Sequence, residues 1–200
     1  MRSSLRKILI LGGSSDIGTK LIEQLDNNKY KIFLHYNNTK PKIRISDITY
    51  LKKDFSSLTI KNSKNFFNSF RNFDIIINLV GYIDNKSLVN TDYFNIVKSL
   101  NTNFISQILI YQNSINHMKK NKYGRIINCT SVGIKFGGGV NTFNYSLSKY
   151  CSEFVPNEIR KLAKYNILYN NLRLGVANTK LHKKIKKKNL YKRASKIPVN

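Results

Sequence analysis

The sequence predicts an α/β fold, an open, doubly wound parallel sheet of six strands with helices on both faces. Three observations carry that expectation. Short apolar runs such as KILIL and DIIINL alternate along the chain with longer stretches of helical spacing. Within the runs, apolar residues are nearly continuous and only weakly alternate with polar ones, as in parallel strands covered on both sides. The strand–helix–strand repetition builds an open sheet between two helical layers.

Each element follows from its residues. Strands are expected at 7–11 (KILIL), 31–35 (KIFLH), 48–52 (ITYLK), 74–79 (DIIINL), 125–129 (RIINC) and 167–173 (ILYNNLR), all rich in β-branched or aromatic residues. Helices are expected at 15–25, 57–70, 93–118 with a break allowed at its start, and 143–165. Pro156 falls inside the last of these. It removes a backbone donor and crowds the carbonyl of Ser152, so a kink or an early end is expected there. No repeat or Pro/Ser linker divides the 200 residues, enough for one core, so 1–200 is read as a single domain.

Composition narrows the function classes. A hydrophobic share of 41% is globular rather than disordered. No apolar run is long enough to span a bilayer. The start, MRSSLRKILILGG, lacks the length and cleavage site of a secretory leader. Cys129 and Cys151 make neither a disulfide framework nor a metal spacing, so no metal is expected. Together these suggest a reduced, cytoplasmic protein. The net charge of +25 is spread widely; only 179–196 is concentrated, with nine basic residues and no acid. Without a base-stacking aromatic pattern beside those lysines, nucleic-acid binding is not expected.

Chemistry concentrates at strand ends. After the first strand comes GGSSDIG, a Gly/Ser turn opening a helix, which suits backbone N–H groups approaching a phosphate. NLVGYI, 78–83, ends the fourth strand, and Ser131 follows the fifth. In an open parallel sheet ligands bind outside the carboxyl ends of strands, so Gly12, Gly81 and Ser131 should face one crevice. In FNYSLSKYC, Tyr145 and Lys149 stand four apart on one helical face, directing a phenol and an ammonium group the same way.

These residues together resemble the short-chain dehydrogenase/reductase family. GGSSDIG resembles its glycine motif, and NLVG occupies the place of its Asn-Asn-Ala-Gly motif. Ser131 and Tyr145-x-x-x-Lys149 match its catalytic residues in order and spacing, and Asn103 matches the fourth member. The resemblance covers nearly the whole chain. It implies a Rossmann-type fold and an NAD(P)-dependent exchange of hydride between a carbonyl and an alcohol. Cofactor contacts are then expected from Gly12, Ser14, Ser15, Asp16, Ile17, Gly18, Asn37, Asp54, Asn78, Gly81, Tyr145, Lys149, Gly175 and Thr179. A lysine beside a tyrosine favours the phenolate, so Lys149 is expected to pull the Tyr145 phenol below its usual value of about 10. Tyr145 would then act as acid or base near neutral pH, Ser131 would orient the substrate oxygen, and Asn103 would support a proton path.

Departures from the family pattern sharpen the expectations. Asp16 stands where the family has a middle glycine, and its charge near a pyrophosphate should weaken cofactor affinity. Family members usually continue beyond a segment like KIPVN with a helix and a seventh strand. The chain is therefore read as C-terminally truncated, with the sixth strand left as an edge. No acid follows the second strand before Asp47, which predicts a weak preference for NADP(H) over NAD(H), with Asn37, Asn38 and Lys40 or Lys42 near the extra phosphate. The basic segment 178–200 is read as a substrate lid, which suggests an anionic carbonyl or alcohol substrate, such as a 3-oxoacyl carrier or a sugar. A homodimer through the helices around 103–118 and 143–165 is expected from the family. The alternative is a catalytically weak nucleotide-binding or regulatory protein on the same fold.

Overall fold

The computed structural model describes residues 5–183. Six strands, β1 (Arg6–Leu11), β2 (Tyr30–Tyr36), β3 (Ile48–Lys52), β4 (Ile75–Asn78), β5 (Gly124–Ser131) and β6 (Ile167–Leu174), form one sheet. All pairings are parallel, in the order β3-β2-β1-β4-β5-β6. The order reverses direction between β1 and β4, the switch point at which an open sheet leaves a crevice.

The near-continuous apolar runs are explained by a core on each face. Along β1, Leu9 and Leu11 enter one core with Phe66, Phe70, Ile110 and Met118. Ile8 and Ile10 point the other way, onto Ile22, Ile32, Ile75 and Ile77. Alternating side chains thus find apolar cover on both sides of a central strand. At the edge, β6 exposes Leu168 and Leu172, and no strand pairs with its outer side among the described residues.

Helices α1 (Asp16–Glu23), α2 (Ser63–Phe66), α3 (Tyr93–Leu100), α4 (Ser106–Lys120), α5 (Phe143–Glu153), α6 (Asn157–Arg160) and α7 (Lys180–Lys183) cover the sheet. A π-helical turn, Asn101–Ile105, joins α3 to α4 without a break. Two helix expectations are corrected. Residues 57–70 give only the 3-10 turn Phe55–Ser57 and the four-residue α2. Polar side chains there bond the backbone instead: Asn62 Oδ1 accepts from the Thr59 N–H, Asn62 Nδ2 donates to the Ser57 carbonyl, and Ser63 Oγ donates to the Ile60 carbonyl. The segment still buries Phe66, Phe67 and Phe70. The helix expected over 143–165 ends at Glu153; Pro156 N-caps the short α6, and a 3-10 turn completes the run. The early end occurs because Pro156 cannot donate into a continuing helix. No helix among the described residues is long and apolar enough to cross a membrane.

Close packing sets a demand at Gly18. A Cβ there would lie 2.7 Å from Gly13 backbone atoms. Gly18→Ala is expected to lower the unfolding free energy by about 1–3 kcal/mol in chemical denaturation, as overpacking does. Gly133→Ala, whose nearest neighbour would be Ser131 Oγ at 3.5 Å, is expected to cost much less.

Candidate active site

A cleft of about 540 Å³ opens at the carboxyl ends of the strands, within the size range of small-molecule sites. Its floor begins at the glycine turn. Gly12 has φ +71, and a Cβ on it would stand 3.0 Å from Val80 N, so glycine permits both the turn and the close approach of the β4 loop. The Gly12 N–H donates to His35 Nδ1 at 3.1 Å, while His35 Nε2 faces the Lys53 carbonyl at 2.9 Å. Since the amide can only donate, Nδ1 accepts and Nε2 carries the proton. Ser15 caps α1, its Oγ accepting from the Gly18 N–H at 3.1 Å. The first N–H groups of α1 have no acceptor inside the helix and point out of its end.

Asp16 is held in an unexpected way. Its carboxylate accepts from the Lys180 N–H at 2.7 Å and lies 3.6 Å from Lys180 Nζ. The negative charge in the turn is therefore partly met by the segment after β6. Leu181 comes down on Gly81 and lines the cleft, so the start of α7 roofs the crevice. Of the segment 178–200 expected to form a basic lid, the part beyond Lys183 lies outside the described residues.

Ser131, Tyr145 and Lys149 also line the cleft. Ser131 closes β5, and its side chain lines the cleft together with the Tyr145 phenol. Lys149, one turn further along α5, is only 3% exposed. Its ammonium donates to the Val80 carbonyl at 2.7 Å and the Cys129 carbonyl at 2.8 Å. Asn103 is fully buried in the π-helical turn. It accepts from the Tyr82 N–H at 2.8 Å and donates to the Tyr82 carbonyl and to Ser148 Oγ. It fixes the β4 loop against α5 and does not line the cleft.

Most sequence-predicted residues converge here. Gly12, Ser14, Ser15, Asp16, Ile17, Asn37 and Asp54 line the cleft. So do Gly81, Ser131, Tyr145, Lys149, Gly175 and Thr179. Gly18 and Asn78 do not. Gly18 packs against Gly13, and Asn78 is buried, its amide donating to Asn128 Oδ1 at 3.0 Å and meeting Gln107. Lys40 lies over the Tyr50 ring at 4.1 Å, and Lys42 borders a separate hollow with Glu23 and Arg44. Neither reaches the cleft. His35, Lys53, Lys98 and Lys180 line it without having been singled out from the sequence. For His35 and Lys53 the available signal was their place at the ends of the second and third strands. Among the described residues no group of His, Cys, Asp or Glu could hold a metal ion.

A family model described as short chain dehydrogenase matches residues 6–190. The chain belongs to the short-chain dehydrogenase family. It is accordingly an NAD(P)-dependent oxidoreductase. It is 27% identical to the 3-oxoacyl-[acyl-carrier-protein] reductase FabG of Buchnera aphidicola, covering all of this chain and 84% of that one. The FabG reductase of Aquifex aeolicus is 26% identical, over 88% of this chain and 66% of its own. A short chain dehydrogenase family structure from Francisella tularensis superposes with a TM-score of 0.75 at 22% identity, covering 98% of this chain and 78% of that one. An NADP-bound 3-oxoacyl reductase from Agrobacterium tumefaciens gives 0.71 at 20% identity, over 96% and 75%. These two structures share the fold.

The electrostatics of this dehydrogenase site differ from the expectation in one respect. Burial pushes the Tyr145 phenol up, and the polar Ser131 side chain offsets only part of it. Burial, rather than the neighbouring lysine, decides the direction in which the phenol is moved. Burial pushes the lysine itself down to about 8.

His35 gives the site a measurable acid response. Burial holds it down at about 4, against an ordinary 6.5. Between these values the unfolded chain binds the proton and the folded chain does not, so stability falls as pH drops through that window. Protonating Nδ1 would also set two donors face to face at Gly12. The unfolding free energy should fall by roughly 3 kcal/mol between pH 7 and pH 4 from this residue alone. Denaturant unfolding across that range should show a shallower slope for His35→Gln than for the parent.

Proposed function

We propose that the chain reduces a carbonyl to an alcohol with NADP(H), in the manner of a 3-oxoacyl-carrier reductase. The observation that carries this reading is the convergence of Ser131, Tyr145 and Lys149 on one cleft. A nicotinamide, when bound, supplies the hydride. The side chains of the protein do the rest. Ser131 and Tyr145 bind the substrate oxygen together. The buried phenol keeps its proton at neutral pH, which suits it to donate that proton as charge develops on the oxygen. Lys149 keeps a cation one turn away to support the phenolate left behind. Asn103 acts by position, holding the Tyr82 backbone and Ser148 beside that lysine. The glycine turn and the N-terminus of α1 would hold the pyrophosphate.

A weak NADP(H) preference fits the end of β2. Asn37 and Asn38 border the cleft there, and no carboxylate follows the strand before Asp47 to repel a 2′-phosphate. The carrier-linked 3-oxoacyl substrate is the choice favoured by the curated relatives; a sugar or polyol carbonyl is the runner-up.

Tyr145→Phe removes only the proton-bearing oxygen. Turnover of 3-oxoacyl thioesters with NADPH should fall roughly 10²–10⁴-fold, the usual contribution of a positioned acid. NADPH binding, followed by nicotinamide fluorescence, should stay close to that of the parent. Equal turnover by parent and variant would overturn the assignment.

We propose also that the protein pairs through α4 and α5, where Ile108, Tyr150 and Phe154 are exposed, the last two at 69% each. Light scattering at micromolar concentration should give a dimer, and Tyr150→Glu with Phe154→Glu should give a monomer. A monomeric parent refutes this pairing.

A further inference from the structure

The cleft is lined by four lysines, and two of them are already engaged. Lys149 is held by two carbonyls and Lys180 by Asp16. Lys53 and Lys98 remain, and neither has a carboxylate within ion-pair distance among the described residues. They rest against aromatic rings, Lys53 over Phe66 at 4.0 Å and Lys98 near Tyr82 at 5.1 Å. An unpaired cation at a cleft wall suits an anionic group of the ligand.

Their backbone positions distinguish the two. The Lys53 N–H donates to the Tyr36 carbonyl at 3.0 Å, and its own carbonyl accepts from His35 Nε2 at 2.9 Å. Both bonds fix Lys53 to the end of β2, where dinucleotide folds read the 2′ position of the adenosine ribose. Asn37 and Asn38, which follow β2, also line the cleft. Lys98 instead sits on α3, beyond β4. The neighbouring carboxylate of Asp54 is turned onto its own loop, accepting from the Ser56 N–H and Oγ.

We infer that Lys53 is the residue that selects the 2′-phosphate of NADP(H), taking the role for which neither the glycine turn nor the end of β2 offers a basic residue. The inference rests on the nicotinamide reading of the cleft. Lys53 acts as a single cation with Asn37 and Asn38 as neutral donors, so the discrimination is moderate compared with an arginine fork. Lys98 contributes only general attraction to the anionic cofactor.

Calorimetric titration of the full-length protein with 2′,5′-ADP and with 5′-ADP tests this without turnover. In Lys53→Gln, affinity for 2′,5′-ADP should fall roughly tenfold, as for one lost charge-assisted hydrogen bond. Affinity for 5′-ADP should stay within about twofold of the parent, well under one such bond. In Lys98→Gln both ligands should weaken by the same factor. An equal loss of both ligands in Lys53→Gln, or no loss of either, overturns the assignment while leaving the dinucleotide site standing. A parent that binds neither ADP, NADPH nor NADH overturns the nicotinamide reading and this inference with it.

Discussion

Lys149 carries an ammonium group at 3% exposure, and the crevice is arranged around that fact. An unpaired buried charge would cost several kcal/mol, so its donors must be used. They are given to the carbonyls of Val80 and Cys129, just beyond β4 and within β5. One side chain thereby ties two adjacent strand ends to α5. The residue before it, Ser148, bonds Asn103, which in turn holds Tyr82 by both its N–H and its carbonyl. The loop after β4 is thus held from two consecutive residues of one helix, and the π-helical turn places Asn103 where it can reach that loop.

A second polar row stiffens the same end of the sheet. Asn78, Asn128 and Asn171 stand in register on β4, β5 and β6. Asn78 donates to Asn128, and Asn128 donates to Asn171 and to the Ser152 carbonyl on α5. Buried amides are tolerated because nearly every donor and acceptor finds a partner. On the other side of the switch point, His35 does comparable work between Gly12 and Lys53, stacked 4.1 Å from the Phe55 ring. The ends of β4 and β5 and the glycine turn are therefore held by separate networks.

Differences between sequence and structure have local causes. The stretch after β3 carries phenylalanines at helical spacing, but Asn62, Thr59 and Ser63 offered the backbone other partners and left only a short α2. Asn78 looked like a ligand contact because it ends a strand; alternation along β4 turned it into the interior. Lys40 and Lys42 were near the right strand end in sequence, yet the loop carries them to Tyr50 and to a separate hollow. Asp16 looked like a repulsive charge, and its neutralising partner lies 164 residues away.

The sequence by itself determined the strands, the glycine turn and the order Ser131, Tyr145, Lys149, because these depend on local pattern: apolar runs, turn residues and the 3.6-residue period that puts Tyr145 and Lys149 on one face. Only the tertiary structure decided which polar residues face the cleft and which brace it. Asn103 and Asn78 became scaffold; Lys53, Lys98 and Lys180 reached the cavity wall. It also decided that burial, rather than the neighbouring lysine, dominates the Tyr145 phenol. Burial and long-range pairing are properties of packed neighbours distant in the chain, and no window of sequence contains them.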